Sequence, residues 1–345
     1  MNKDITSNID EQGNVLWLSE ERLSSKETPY PIYKNHPNGL GIYNFLKEHV
    51  LFMSHKRWPL ALKLYHFFIK YSCWMNEGGF KGKLFKGGIM LEPVMKAHTG
   101  SVVLPLNVDL TEQKEKVVVP MDLVKEALKD ASFVAGMDTC LCRDATGCTD
   151  YPHDIACLFF GDAGRTVVEH GLGVQLTYEE ACARVDQAAA HGLMAQALWI
   201  EVEQLLGGIR NDHMDKFLES CFCCPCCCIA LKLARNAAPE DRPQIFHPAG
   251  WTAVADQTKC IGCKKCVNGP NGCPMDAISF DEKEKIQIDQ DICVGCGICK
   301  TKCNLDVIKI KQTMPMRDTL LEYFQKEYGL NTKVWDKEWV SKFQK

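Results

Sequence analysis

The sequence predicts an α+β protein: a mainly helical N-terminal and central cysteine-rich region, followed by a small pseudo-symmetric C-terminal unit. Three observations predict it. Apolar residues recur with helical period over Tyr43–Trp74, 120–131 and 178–191. Of twenty cysteines in 345 residues, all but Cys73 and Cys182 crowd into three zones, 140–157, 221–228 and 260–303. Short β-branched runs, Ala277–Phe280, Ile286–Ile288 and Val307–Ile310, flank the last zone. The chain divides into an N-terminal helical docking segment (1–85), a central cysteine-rich metal-binding domain (86–234), a linker (235–250), the C-terminal unit (251–312) and a charged helical tail (313–345).

Each element has a local reason. Residues 1 to about 37 are polar and turn-rich. Helix follows from Tyr43 to Trp74, interrupted at Pro59. Over 60–75 the polar residues Lys63, His66 and Lys70 form one thin stripe in an otherwise apolar helix. Such a helix suits a core, a partner's groove or peripheral contact with a membrane surface. Gly100–Leu110 and Lys116–Val119, around the turn 111–114, read as a hairpin. Pro120 opens a helix to Ala131 at the position where its missing N–H costs nothing. Thr177 and Glu180 form a capping box for a helix over 178–191, which Gly192 ends. Pro239, Pro243, Pro248 and Gly250 mark the linker.

Composition narrows the function. A net charge of −4 gives no basic footprint for nucleic acid. Residues 1–28 lack the apolar core of an export signal, and no apolar stretch is long enough to span a membrane. Cysteine this dense without export argues for metal ligation in a reducing cytoplasm, with membrane association confined to its cytoplasmic face. Nothing resembles a P-loop, a dinucleotide-binding glycine turn or a nucleophile elbow; Gly207-Gly208 and Gly171-x-Gly173 lack the strand-then-helix context.

The C-terminal unit carries two ladders: Cys260, Cys263, Cys266 with Cys273-Pro274, and Cys293, Cys296, Cys299 with Cys303. Triplets of cysteine two residues apart suit a cubane iron–sulfur cluster; zinc tetrads come as two separated pairs. Over about 251–312 the unit resembles a bacterial two-cluster ferredoxin domain, a (βαβ)2 fold. In that family the fourth cysteine of each ladder crosses to the other cluster. The resemblance implies two [4Fe-4S] clusters, one on Cys260, Cys263, Cys266 and Cys303, the other on Cys293, Cys296, Cys299 and Cys273. The chain departs from the pattern in an inserted loop at Val267–Gly272 and in Asn304, where proline is usual.

Ten further cysteines form two groups: Cys140, Cys142, Cys148 and Cys157; and Cys221, Cys223, Cys224, Cys226, Cys227 and Cys228. Lone Cys73 and Cys182 suit packing, but six cysteines within 221–228 do not, and Pro225 favours a loop wrapped around something. The first group is expected to bind one metal centre and the second another, or both to share a larger irregular cluster; tetrahedral zinc is the alternative. His153 reads as a turn residue or a ligand, and Arg143 as a partner of cluster sulfides or a surface residue. The layout from Cys140-x-Cys142-Arg143 through Gly147-Cys148, His153-Asp154, Cys157-Leu158 and Gly161 to the cysteine run looks like that of multi-cluster ferredoxin-like proteins of anaerobes, over about 86–312.

These features point to a low-potential electron-transfer protein. It would relay single electrons between a soluble carrier and a redox partner protein, through two ferredoxin clusters and one or two more in the central domain. The alternative is an iron–sulfur reductase with a catalytic irregular cluster at the central cysteines. A zinc-dependent assembly module is a third reading.

Overall fold

The structure, a computed structural model, describes residues 58–71, 74, 80–81, 100–106, 108, 120–161, 164–199, 217–236, 247–267, 272–313, 320 and 322–324. The expected turn-rich N-terminal stretch, the helix expected from Tyr43 as far as residue 57, the second hairpin arm and most of the expected C-terminal helical tail lie outside them. Seven helices are described: α1 (Trp58–Tyr71), α2 (Pro120–Asp130), α3 (Leu141–Thr146), α4 (Gly164–Glu169), α5 (Tyr178–Ala190), α6 (Ile229–Asn236) and α7 (Ile298–Lys302). Eleven strands accompany them: β1 (Gly100–Pro105), β2 (Val134–Met137), β3 (Leu158–Phe160), β4 (Gly173–Gln175), β5 (Met194–Trp199), β6 (Leu218–Cys223), β7 (His247–Pro248), β8 (Trp251–Ala255), β9 (Ile278–Phe280), β10 (Ile286–Ile288) and β11 (Ile308–Gln312).

Strands β1 to β7 form one seven-stranded sheet, ordered β4-β2-β3-β6-β5-β1-β7, with β7 inside the expected linker. Every pairing is antiparallel except β1 with β7. This corrects the expectation of a mainly helical region: helix and strand are mixed. The physical reason is burial on both faces. All residues of β2, β3 and β5 are buried, so those strands lack the alternation that advertises a strand in sequence. The first arm of the expected hairpin exists as β1, but its neighbours are β5 and β7.

Both expected central helices form. Pro120 is the first residue of α2. In α5 the Glu180 N–H donates to Thr177 Oγ1 at 3.2 Å and the Thr177 N–H to Glu180 Oε2 at 2.8 Å. The two helices are tied by Lys125 Nζ and Asp186 Oδ1, 2.6 Å apart. Trp199, Phe133, Phe160 and Phe217 are fully buried in the core, each contributing about 1.5–3 kcal/mol through burial.

The C-terminal unit consists of two antiparallel pairs, β9 with β10 and β8 with β11. The three expected strands are there; β8 was not anticipated. Its pseudo-symmetry shows in the backbone. Gly262 and Gly295, Lys264 and Gly297, and Asp276 and Asp306 occupy matching places in the two ladders, and all six have positive φ. Gly295 needs this freedom twice over: at φ +64° a Cβ there would also lie 2.1 Å from the Trp251 carbonyl oxygen. The ladders are thus turns wound the same way, repeated.

Candidate metal centres

In the C-terminal unit, Cys273, Cys293, Cys296 and Cys299 line one cavity whose remaining walls are apolar, among them Ile278 and Ile288. The Ala253 N–H donates to Cys293 Sγ at 3.4 Å. Burial pushes the Cys296 thiol up to about 12 and Cys299 well above its ordinary value, with Cys293 and Cys273 adding in both. Cys266 rises to about 11, again first through burial, with Cys263, Cys303 and Cys260 as charged neighbours. Each foursome named from the sequence thus contains mutual neighbours. Thiols this costly to ionise become thiolates when a cation displaces the protons. Apolar walls and convergent sulfurs fit iron–sulfur clusters. Cys260 and Cys266 are buried, while Cys263 is exposed beside Ile261, itself 71% exposed.

The central cysteines are placed by local geometry. Cys140 caps α3, Cys142 lies in its first turn, and Gly147 at φ 62° reverses the chain toward Cys148. Cys157 directly precedes β3, Cys221 and Cys223 belong to β6, and a turn containing Pro225 carries the run from β6 into α6. Here the structure mixes the two groups. Cys148, Cys224, Cys226 and Cys227 have sulfurs within 4.8 Å of one another, with Cys148 and Cys226 at 3.8 Å and Cys226 and Cys227 at 3.4 Å. Cys157 and Cys221 are 3.1 Å apart, as are Cys223 and Cys228. Cys140 and Cys142 share a hydrogen bond. The arrangement interleaves both segments instead of giving each its own set of four.

Arg143 is fully buried, not a surface residue. Its Nη1 donates to the Pro152 and Ile155 carbonyls at 2.8 Å, and Nη2 to Phe222 O at 2.6 Å; Nε has no partner. Its anionic neighbours are thiols, Cys140, Cys224 and Cys157. A buried cation needs an anion. Metal-bound thiolates supply one, so the donor set fits an anionic iron–sulfur site. Hydrogen bonds from Cys226 and Cys227, with the Arg143 charge, hold Cys224 down near 2. Those from Cys221 and Cys228 lower Cys223 to about 5. His153 places Nε2 2.8 Å from the Cys148 carbonyl and Nδ1 3.9 Å from Asp144; it braces the Cys148 turn.

Two polar residues escaped the sequence reading. Glu219 is 5% exposed and accepts from Cys221 Sγ at 2.8 Å; burial raises its carboxyl to about 7. Gln196, equally buried, accepts from Cys223 Sγ at 3.6 Å. The alternation Glu219-x-Cys221-x-Cys223 is the signal that could have shown a strand with one ligand-bearing face.

The central cysteines and the C-terminal ladders meet across one apolar seam. Cys223 and Cys228 share one apolar cluster with Met194, Leu231, Met275, Ala277, Val294 and Ile298, and Cys273, Cys293 and Cys296 pack against it. Arg235 Nη2 donates to Gly272 O at 3.1 Å, pinning α6 to the loop before Cys273.

Comparison with known proteins identifies residues 253–310 as a 4Fe-4S dicluster domain. Within relatives, pyruvate synthase subunit PorD of Methanocaldococcus jannaschii is 38% identical over 55 residues, 16% of this chain and 60% of its own. Indolepyruvate oxidoreductase subunit IorA of Pyrococcus abyssi is 44% identical over 85 residues, 24% of this chain and 13% of its own. Thiosulfate reductase electron transfer subunit PhsB of Salmonella typhi is 32% identical over 95 residues, 25% of this chain and 49% of its own. The chain therefore spans less than two thirds of each of these relatives. No solved structure matches it. The dicluster domain and the grouped cysteines mark a protein of multiple iron–sulfur clusters.

Proposed function

We propose that this protein relays single electrons between a soluble carrier and a redox partner protein, through the dicluster domain and at least one further iron–sulfur centre at the central cysteines. The observation that carries the reading is the shared apolar cluster in which Cys223 and Cys228 meet the packing shell of Cys273, Cys293 and Cys296. Bound clusters supply one-electron exchange with little rearrangement. The chain's own part is to hold and insulate them. Cys260, Cys263, Cys266 and Cys303 would carry one dicluster site, and Cys293, Cys296, Cys299 and Cys273 the other. Met275, Val294 and Ile298 exclude water where the domains meet. Arg143 balances thiolate charge and fixes three carbonyls around the central site.

The exposed Cys263 turn suits the carrier. Among the described residues no helix is long and apolar enough to cross a membrane. In α1, Leu60 and Phe67 are 45% and 47% exposed beside exposed Lys63, His66 and Lys70, a surface suited to a partner or to peripheral membrane contact. Cluster chemistry of this kind favours an anaerobic cytoplasm.

A second reading, a reductase with an irregular catalytic cluster, is favoured by the ten central thiols, more than two cubanes need. Anaerobic purification with iron, sulfide and zinc analysis and electron paramagnetic resonance tests both. About twelve or more irons per chain support the relay, whereas about eight confine clusters to the C-terminal domain. Stoichiometric zinc selects the assembly module. Turnover of a small disulfide substrate by the isolated chain selects the reductase.

A further inference from the structure

The four-thiol group leaves a second, chemically different set of donors on the same sheet. On β6 the side chains of Glu219, Cys221 and Cys223 share one face, because strand residues two apart point the same way. The register pairs Phe159 with Glu219 across β3 and β6, so Cys157, two residues before Phe159, continues the row opposite Cys221. The result is a compact triad: Cys157 and Cys221 sulfurs 3.1 Å apart, Cys221 Sγ 2.8 Å from Glu219 Oε1, and all three ligand atoms within 4.8 Å. None of its members belongs to the Cys148, Cys224, Cys226 and Cys227 group.

Glu219 is the anomaly. A carboxyl 5% exposed is costly to ionise without a cation beside it, and among the described residues no lysine or arginine pairs with it. What faces it instead is sulfur. We propose that Cys157, Cys221 and Glu219 hold a single divalent transition ion of the iron or zinc class, as a mixed sulfur–oxygen site beside the all-thiol centre. Two thiolates and one carboxylate are a proper donor set for such ions, and three protein ligands leave one tetrahedral position open. The bound ion would still leave one negative charge in excess. Arg143 and Arg184, whose charges both act on Cys157, offset it; Arg184 is held there by Nη1 donating to the Met137 carbonyl at 2.8 Å. Placement on β6 and immediately before its paired strand β3 keeps the donors fixed.

The inference rests on the reading of the central thiols as metal ligands, and the test separates the two. The anaerobically purified full chain is compared with Glu219→Gln, Glu219→Cys and, for the four-thiol group, Cys224→Ser with Cys226→Ser; iron and zinc are counted per chain. Dicluster resonance and far-ultraviolet circular dichroism check the fold. Glu219→Gln should lose one metal equivalent, and Glu219→Cys should regain it, because a thiolate replaces the carboxylate as donor. Retention of every metal in Glu219→Gln overturns the mixed site, and the relay survives if Cys224→Ser with Cys226→Ser still sheds iron. If neither variant sheds metal, both readings fall. Loss of metal in both Glu219 variants together with early unfolding assigns the carboxylate to folding and also overturns the site.

Discussion

Arg143→Met is the sharpest probe of the central site, because it removes a buried charge while keeping a flexible apolar stem. The guanidinium makes three hydrogen bonds to backbone carbonyls, each from an ionised donor and therefore worth about 1.5–3 kcal/mol. Of its sulfur partners, Cys224 is held ionised by its thiol neighbours and by the Arg143 charge, whereas Cys157 becomes a thiolate only when metal displaces its proton. In the metal-loaded protein the substitution strips a buried anion of its cation, a loss of about 3–5 kcal/mol. With the metals removed, Cys224 is the one strongly acidic thiol left facing the arginine, so losing the cation should cost less, about 1–3 kcal/mol. The gap of about 2 kcal/mol is the coupling between cation and metal site, within the range for residues in direct contact. Anaerobic urea unfolding of both proteins, loaded and chelator-stripped, followed by far-ultraviolet circular dichroism, measures it; urea leaves the charges unscreened. Equal losses in the two states would refute the reasoning and reduce Arg143 to a backbone clamp.

Three other outcomes are expected. Cys227→Ala combined with Cys228→Ala should lower iron content and leave the dicluster resonances unchanged; unaltered iron counts against a central cluster. Gly295→Ala should destabilise the C-terminal unit by more than about 2 kcal/mol, since left-handed strain of about 1–2 kcal/mol adds to the clash with Trp251 O. Gly147→Ala, at φ 62° but with nothing within 4 Å, should cost only about 1 kcal/mol; thermal melts that rank the two the other way contradict the geometry. Ile298→Ala, at 1% exposure in the inter-domain cluster, should cost about 2–4 kcal/mol. It should also slow rapid-mixing reduction of the central site by a reduced dicluster domain, at unchanged iron content.

Legibility in the sequence followed the locality of each signal. The two ladders, the capping box at Thr177 and the proline start at Pro120 are written within a few consecutive residues, and each lies where the pattern placed it. Beyond β1 the seven-stranded sheet was not legible, because β2, β3 and β5 are buried along their whole length. Met194–Trp199 buries all six residues and therefore shows neither alternation nor a helical stripe. The central cysteines were legible as ligands and illegible as sets. Which sulfur meets which depends on β3 pairing with β6, a contact between segments about sixty residues apart that no spacing rule encodes. Glu219 was hidden too: nothing local singles it out beside six cysteines, and only a strand, where residues two apart share a face, turns it toward Cys221. Arg143 stayed open between a partner of cluster sulfides and a surface residue, because a lone arginine gives no sign of its burial.

The C-terminal unit repeats one turn twice, yet its two halves do not share one environment, and this difference bears on the direction of a relay. Matching positive-φ positions give the two ladders the same backbone conformation. Their surroundings differ: Cys273, Cys293 and Cys296 pack into the apolar cluster that also holds Cys223 and Cys228, whereas Cys263 and Ile261 face solvent. A cluster's potential follows its solvent exposure and the charges and hydrogen bonds around it. A symmetric repeat docked through one half therefore acquires two unlike sites without any change of ligand. Under the proposed function, the solvent-facing half is the place to meet a diffusing carrier, and the inward half is the neighbour of the central sulfurs. The asymmetry comes from Met275, Val294 and Ile298, the side chains that fill the seam.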